Sequence, residues 1–418
     1  MQNSETEGDV ITPNAFRSLD KFLKNSVPGV FPAGVVLVMQ GGAILFHKAY
    51  GFLDPGQNLY PTRRDTLFDL ASLTKLFTAT LFMRLVEAGR VSLETPVREV
   101  IPEFTGKRSI GPIEDPLSGA WLPADPGDAW RQVDLDQINF RHLLTHTSGL
   151  TPWRSIYRIS AGTGAIPLPH QVSSAVRADR IAAVADYDFA YPTGERILYS
   201  DLGFMLLGEA VARLSGRGLE HVLQQALFRP LGLQRTCYNP LEKRIPPDQI
   251  APTGICAWRR RMLLGEVNDE NAASLGGVVG HAGLFSTAQE VARLGQIYLR
   301  GGRFSGEQML KPETIADMRR EQVALGGQRR GLAWVLWTAQ ECACGSSFSP
   351  LSFGHTGFTG TSLWIDPEQE LIVVALTNRV YNGRNDLASI QAFRPRLHEM
   401  ASAAIREAGG LGTRGGQS

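Results

Sequence analysis

The sequence predicts an α/β protein in two parts: an antiparallel sheet flanked by helices and built from both chain ends, plus an inserted, mainly helical domain. Three observations carry this. Paired strand-like runs lie near both ends, helical periodicity dominates between them, and the segments break at glycine- or proline-marked turns. The discontinuous α/β part is placed at residues 1–90 and 325–418, and the helical part at 91–324.

Thr12-Pro13 opens the first helix, with threonine as cap and proline in the first turn, followed by Phe16, Leu19, Phe22 and Leu23 at helical spacing. Gly34–Gln40 and Ile44–Tyr50 flank Gly41-Gly42, which reads as a hairpin. Helices are predicted at Ser72–Ala88, Leu202–Leu214 and Ala288–Leu299, closed by Gly89, Gly216 and Gly301. Thr105–Asp136 and Thr151–Thr193 lack periodicity and are long for connections, so they read as functional surface loops. A second strand pair, Ser362–Ile365 and Leu371–Thr377, turns at Asp366-Pro367. A helix over Phe393–Ile405 follows, and the tail Gly409–Ser418 reads as frayed.

Composition excludes several classes. With 42 Lys+Arg against 41 Asp+Glu, the chain has no basic excess for nucleic acid or an anionic membrane surface. The longest apolar runs fall far short of the ~20 residues that cross a bilayer. The polar start MQNSETEGDV has no signal-peptide pattern, which favours a cytoplasmic location unless a leader was removed. Cys237, Cys256, Cys342 and Cys344 are too few for a disulfide scaffold and are expected to be reduced.

Chemistry concentrates at three places. Ser72 and Lys75 open a helix three residues apart, hence on one face. A serine hydroxyl needs a base to become a nucleophile, and a lysine can serve only when neutral, through a depressed pKa. Alone, the pair reads better as a helix cap and a surface lysine. Tyr199-Ser200-Asp201 precedes another helix, where the tyrosine could carry protons if cations hold its pKa below the usual ~10. His355-Thr356-Gly357 leads into the Ser362 strand, along whose edge a substrate could lie.

In that order, Ser72-Leu73-Thr74-Lys75, Tyr199-Ser200-Asp201 and His355-Thr356-Gly357 resemble the serine β-lactamase and penicillin-binding protein superfamily, closest to its class C β-lactamase-like branch of esterases, D-amino-acid peptidases and lactamases. Arg141–Leu150, Pro230–Leu233 and Gly280–Thr287 resemble its framework segments, so the likeness spans roughly residues 30 to 405. The resemblance implies an acyl-enzyme hydrolase without cofactor or metal. In it Ser72 is the nucleophile, Lys75 its base or proton shuttle, and Tyr199 the general base and acid. Backbone N–H groups of Ser72 and Phe358 form the oxyanion hole, and Asp201, His355, Thr356 and Gly357 meet the substrate.

Two departures bear on specificity. Asp201 stands where this branch commonly has asparagine; an ionised carboxylate only accepts hydrogen bonds and favours a protonated Lys75. His355 stands where β-lactamases usually have lysine, which removes a permanent cation for a substrate carboxylate. Both favour carboxylic esters or small amides over β-lactams. The alternatives are a D-amino-acid peptidase or amidase on peptidoglycan-derived peptides, a β-lactamase, or a slowly acylating penicillin-binding module. Gly265–Asn271 and Thr377–Tyr381 resemble a subgroup associated with peptidoglycan turnover. The partner is therefore a small ester, amide or peptide. His142 and His146 have zinc-pair spacing but Leu143 replaces the zincin glutamate, and His281 is expected to pack its loop.

Overall fold

A computed structural model describes residues 14–159, 168–340 and 342–412 of the chain. The helix start expected at Thr12-Pro13 lies outside them. Helix α1 (Arg17–Ser26) leads into β1 (Ala33–Gln40), β2 (Ala43–Asp54) and β3 (Leu59–Pro61). The other strands of this sheet come from the far end of the chain: β4 (Val323–Leu325), β5 (Gln328–Arg330), β6 (Val335–Leu336), β7 (Phe353–Thr356), β8 (Ser362–Asp366) and β9 (Leu371–Thr377). The order is β4-β5-β6-β7-β8-β9-β1-β2-β3, antiparallel throughout, so β9 joins the chain ends by pairing with β1. Gly41 and Gly42 both take positive φ at the β1–β2 turn, where glycine avoids a Cβ penalty.

β1 and β9 are buried along nearly their whole length, which explains their unbroken apolar runs. Val36, Val38, Val373 and Ala375 point to one face, against Phe16, Leu19 and Leu23 around α1 and Phe393, Leu397 and Ala401 of α6 (Ala388–Gly412). Val35, Leu37, Val374 and Leu376 point to the other, in one core with α2 (Thr74–Glu87), α4 (Asp201–Ser215) and α5 (Ala288–Leu299). Helix α5 lies directly on the sheet: a Cβ on Gly295 would come within 3.2 Å of Ile372. Thus α5 covers the sheet although its residues fall in the segment assigned to the helical part. Helix α2, assigned to the sheet part, packs against α4.

Other differences are local. The expected loop Thr105–Asp136 pairs Lys107–Ser109 with Gln132–Asp134 and Ile113–Glu114 with Trp121–Leu122, strands too short to show alternation. Thr151–Thr193 contains the helix Ser174–Ala182, capped by the Ser173 side chain. Helix α6 is longer at both ends than predicted and includes residues 409–412 of the supposedly frayed tail. Cys342 and Cys344 are not reduced but joined in a disulfide, since their Cα atoms lie 5.2 Å apart, within bridging reach. Cys237 and Cys256 are free.

Candidate active site

Ser72 sits in a tight turn, Ala71–Leu73, that runs into α2. Ala71 is held at φ +46°, a strained left-handed backbone, by the Asp69 carboxylate, which accepts from Ala71 N at 2.9 Å and Asn268 N at 2.6 Å. Burial pushes the Asp69 carboxyl up to about 6. The His355-Thr356-Gly357 turn is tied to the serine turn: Thr359 Oγ1 donates to Asp69 O at 2.8 Å and Thr361 Oγ1 to Leu70 O at 2.9 Å. Gly357 fits because a Cβ would meet Leu70 O at 2.6 Å. Phe358 consequently borders the space above Ser72.

Lys75 is wholly buried. Its Nζ donates to Ser72 Oγ at 3.0 Å, Asp201 Oδ1 at 2.6 Å and His281 O at 3.1 Å. Three acceptors exhaust the three protons of an ammonium, whereas a neutral amine has only two to give. Burial alone pulls Lys75 down, but Asp201 and then Tyr199 outweigh it, so its pKa stands above the ordinary lysine value. The resting group is therefore the cation, the state that the Asp201 carboxylate favours, and not the neutral lysine that a base would require.

Tyr199 is fixed from behind. Ser200 caps α4 and donates its N–H to His146 Nδ1 at 3.1 Å, while the His146 and Tyr199 rings lie 4.5 Å apart. Burial holds His146 well below the usual histidine range, hence neutral. His142 instead closes a capping box with Asn139, so the two histidines serve separate turns. The Tyr199 hydroxyl is buried and lacks a hydrogen-bond partner among the described residues. Burial raises its pKa, Lys75 opposes that, Asp201 adds to it, and the balance lies above the ordinary tyrosine value. The condition for a proton-carrying tyrosine, neighbouring cations that hold its pKa below the usual value, is not met at rest, since Asp201 offsets the nearest cation.

His355 Nδ1 contacts Thr356 O at 2.8 Å; burial, then Lys75 and Arg330, push the ring down to about 3, so it is neutral. Two lobes meet at Ser72. One, about 340 Å³, is lined by Tyr199, His355, Thr356, Phe358 and three arginines, Arg330, Arg379 and Arg394, with no acidic residue in its wall. The other, about 280 Å³, combines apolar Leu117, Pro152, Trp153 and Phe358 with Asp69, Asp201 and Asp269. His281 reaches this second lobe, with Nε2 3.0 Å from Asp269 Oδ1. Although Asp269 is buried, His281 holds its carboxyl below the usual range. Leu117 belongs to the tip between the Ile113–Glu114 and Trp121–Leu122 strands.

The structure thus gathers Ser72, Lys75, Tyr199, Asp201, His355, Thr356, Gly357 and Phe358 around one cleft. Sequence reasoning missed the arginines, the His281 carbonyl and Asp269. Arg379 lies inside the Thr377–Tyr381 segment already singled out; Arg330 had no signal, because a three-residue strand gives no sheet position.

A family model described as Beta-lactamase matches residues 18–393. The chain belongs to the beta-lactamase family. Like others in the family, it is a serine hydrolase. It is 31% identical to the N-acetylmuramyl-L-alanine amidase of Bacillus subtilis (strain 168), over 90% of this chain and 86% of that protein. Among solved structures it is similar in fold to EstCE1, a hydrolase with promiscuous acyltransferase activity, at TM-score 0.67 and 22% identity, covering 94% of this chain and 98% of that one. A penicillin-binding protein homolog from Caulobacter crescentus gives 0.65 at 21% identity, with 94% and 98% coverage.

Proposed function

We propose that this hydrolase cleaves amides in which the leaving group is an amino acid or short peptide with a free carboxylate. One observation carries the reading: Arg379 has both Nε and Nη2 buried without partners among the described residues, in the lobe that contains Ser72. That edge of a guanidinium matches a carboxylate bidentately. Burial lowers Arg379 only to about 10 and Arg394 only to about 9, so both are cations at neutral pH. His355 withdraws the usual third-motif cation, and Arg379 supplies an anchor from the strand exit beyond β9. The Bacillus relative's name, an amidase for N-acetylmuramyl-L-alanine, describes a substrate with an amino acid on one side of its amide.

In this reading Ser72 Oγ attacks the carbonyl carbon while Tyr199, reacting as its phenolate, takes the Ser72 proton and becomes the neutral phenol. Lys75, as ammonium, orients Oγ and balances the developing charge. The oxyanion is held by the N–H groups of Ser72 and Phe358, each such donor contributing about 3–4 kcal/mol. Collapse breaks the C–N bond, Tyr199 returns the proton to the departing amine, and the apolar lobe holds the acyl group until water releases it.

The test compares N-acetylmuramyl-L-alanine with p-nitrophenyl acetate. Arg379→Gln should raise KM for the carboxylate substrate at least tenfold with the acetate unaffected, and Arg379→Lys should fall between. Equal effects on both substrates, or none on either, overturn the reading; Ser72→Ala supplies the inactive control.

A further inference from the structure

Tyr199 can take the Ser72 proton only as a phenolate, a phenolate in this buried position needs a compensating positive charge, and the obvious source is spent. The Lys75 ammonium lies 4.8 Å from the Tyr199 ring but is engaged with Asp201 at 2.6 Å. The third motif offers no cation, because His355, whose ring is 5.9 Å from that of Tyr199, is neutral. His146 on the opposite side is neutral too.

Of the three arginines in this lobe, Arg330 is the one with a described contact to the Tyr199 ring. Arg330, at the end of β5, is buried, with Cζ 5.9 Å from the Tyr199 ring. Its Nε and Nη1 have no hydrogen-bond partner among the described residues, and the residue lines the lobe beside Ser72. A buried guanidinium without a carboxylate is costly, so its retention here calls for a physical reason. The fold places it for one: β5 lies two strands from β7, and Arg330 lines the same lobe as His355 and Tyr199.

We infer that Arg330 is a positioning residue that provides the fixed positive charge for Tyr199, replacing from β5, two strands away, the cation that His355 lacks. It acts through Tyr199 and moves no atom of the substrate. The groups facing the phenol are then Lys75 from α2, Asp201 from α4, His146 and His355 as neutral rings, and Arg330 as the one cation without a counter-ion among them.

This rests on Tyr199 being the proton acceptor in the proposed acyl-enzyme pathway, but not on carboxylate recognition. The experiment therefore uses p-nitrophenyl acetate, which has no carboxylate, and follows kcat/KM against pH for the full chain and its Arg330→Lys, Arg330→Gln and Arg330→Met variants. A unit charge at this separation displaces a buried titration by about 1–2 pH units. Arg330→Gln and Arg330→Met should move the ascending limb upward by that amount and recover the parent rate at high pH, while Arg330→Lys keeps the parent limb. A limb unmoved in all three variants, or a loss of equal size at every pH, overturns the inference. A Tyr199→Phe variant with an intact ascending limb would instead remove the Tyr199 role itself, so the two failures are distinguishable.

Discussion

The Asp201 carboxylate holds the charge state of the site, and Asp201→Asn is the perturbation that reads it. At 2.6 Å, two unit charges in an environment of effective dielectric ~20 attract by about 6 kcal/mol. The Asp201 side chain is 21% exposed, and halving the figure for solvent screening leaves about 3 kcal/mol, or about 2 pH units. Asp201 raises the pKa of both Lys75 and Tyr199, so its removal lowers both. With Tyr199 as the base, the ascending limb of kcat/KM follows Tyr199 and the descending limb follows loss of the Lys75 charge. The sign is then fixed: both limbs move to lower pH, the Lys75 limb by about 2 units, and the optimum of ester turnover moves down with them. The assay is p-nitrophenyl acetate hydrolysis across the pH range, with thermal melts to verify folding. An optimum that stays in place, or limbs that move in opposite directions, would refute the reasoning.

Two further outcomes follow from the geometry. Gly357→Ala should drive Thr361 Oγ1 and the Leu70 carbonyl away from the His355-Thr356-Gly357 turn and separate Ser72 from Phe358, lowering Tm and lowering kcat of the folded enzyme by about 10–100-fold; an unchanged kcat would mean the two turns are not coupled. His355 is neutral in the fold with its pKa near 3, against about 6.5 unfolded, so it contributes stability above pH 6.5 that is lost as pH falls toward 3. His355→Gln should flatten the acid side of the Tm–pH curve, and differential scanning fluorimetry between those limits checks it.

The serine, tyrosine and third-motif segments were legible because each carries a local signal: a polar residue before a helix, or small residues before a strand. The sheet pairs around Gly41-Gly42 and Asp366-Pro367 were legible for a similar reason, since turn and strands adjoin in sequence. Protonation was not legible. Whether Lys75 is neutral depends on a carboxylate 126 residues away and on the His281 carbonyl, contacts made only when α2, α4 and the Gly280–Thr287 segment converge. The arginines were hidden for the same cause. Arg330 reaches the site because β5 and β7 are two strands apart, a relation that a strand of three residues cannot announce.

The two departures from the family pattern also bear on each other. Asparagine to aspartate at 201 adds a negative charge, and lysine to neutral histidine at 355 removes a positive one, so together they would leave the cleft two units more negative. A base that must itself become anionic could not work well in such a field. Arg330 and Arg379 are two of the three arginines that return positive charge to the same lobe, each buried and each with N–H groups unpartnered among the described residues. Their placement differs from that of a single third-motif lysine in one respect that matters for specificity. One guanidinium stands over Tyr199, while the other stacks on Phe358 with its Cζ 4.7 Å from the ring. The proton-transfer charge and the substrate-anchoring charge are therefore carried by separate residues. A substrate without a carboxylate can still be turned over through the first, and a carboxylate adds binding through the second. In the proposed reading, that separation suits a cleft that accepts simple esters and adds recognition of the carboxylate of an amino acid.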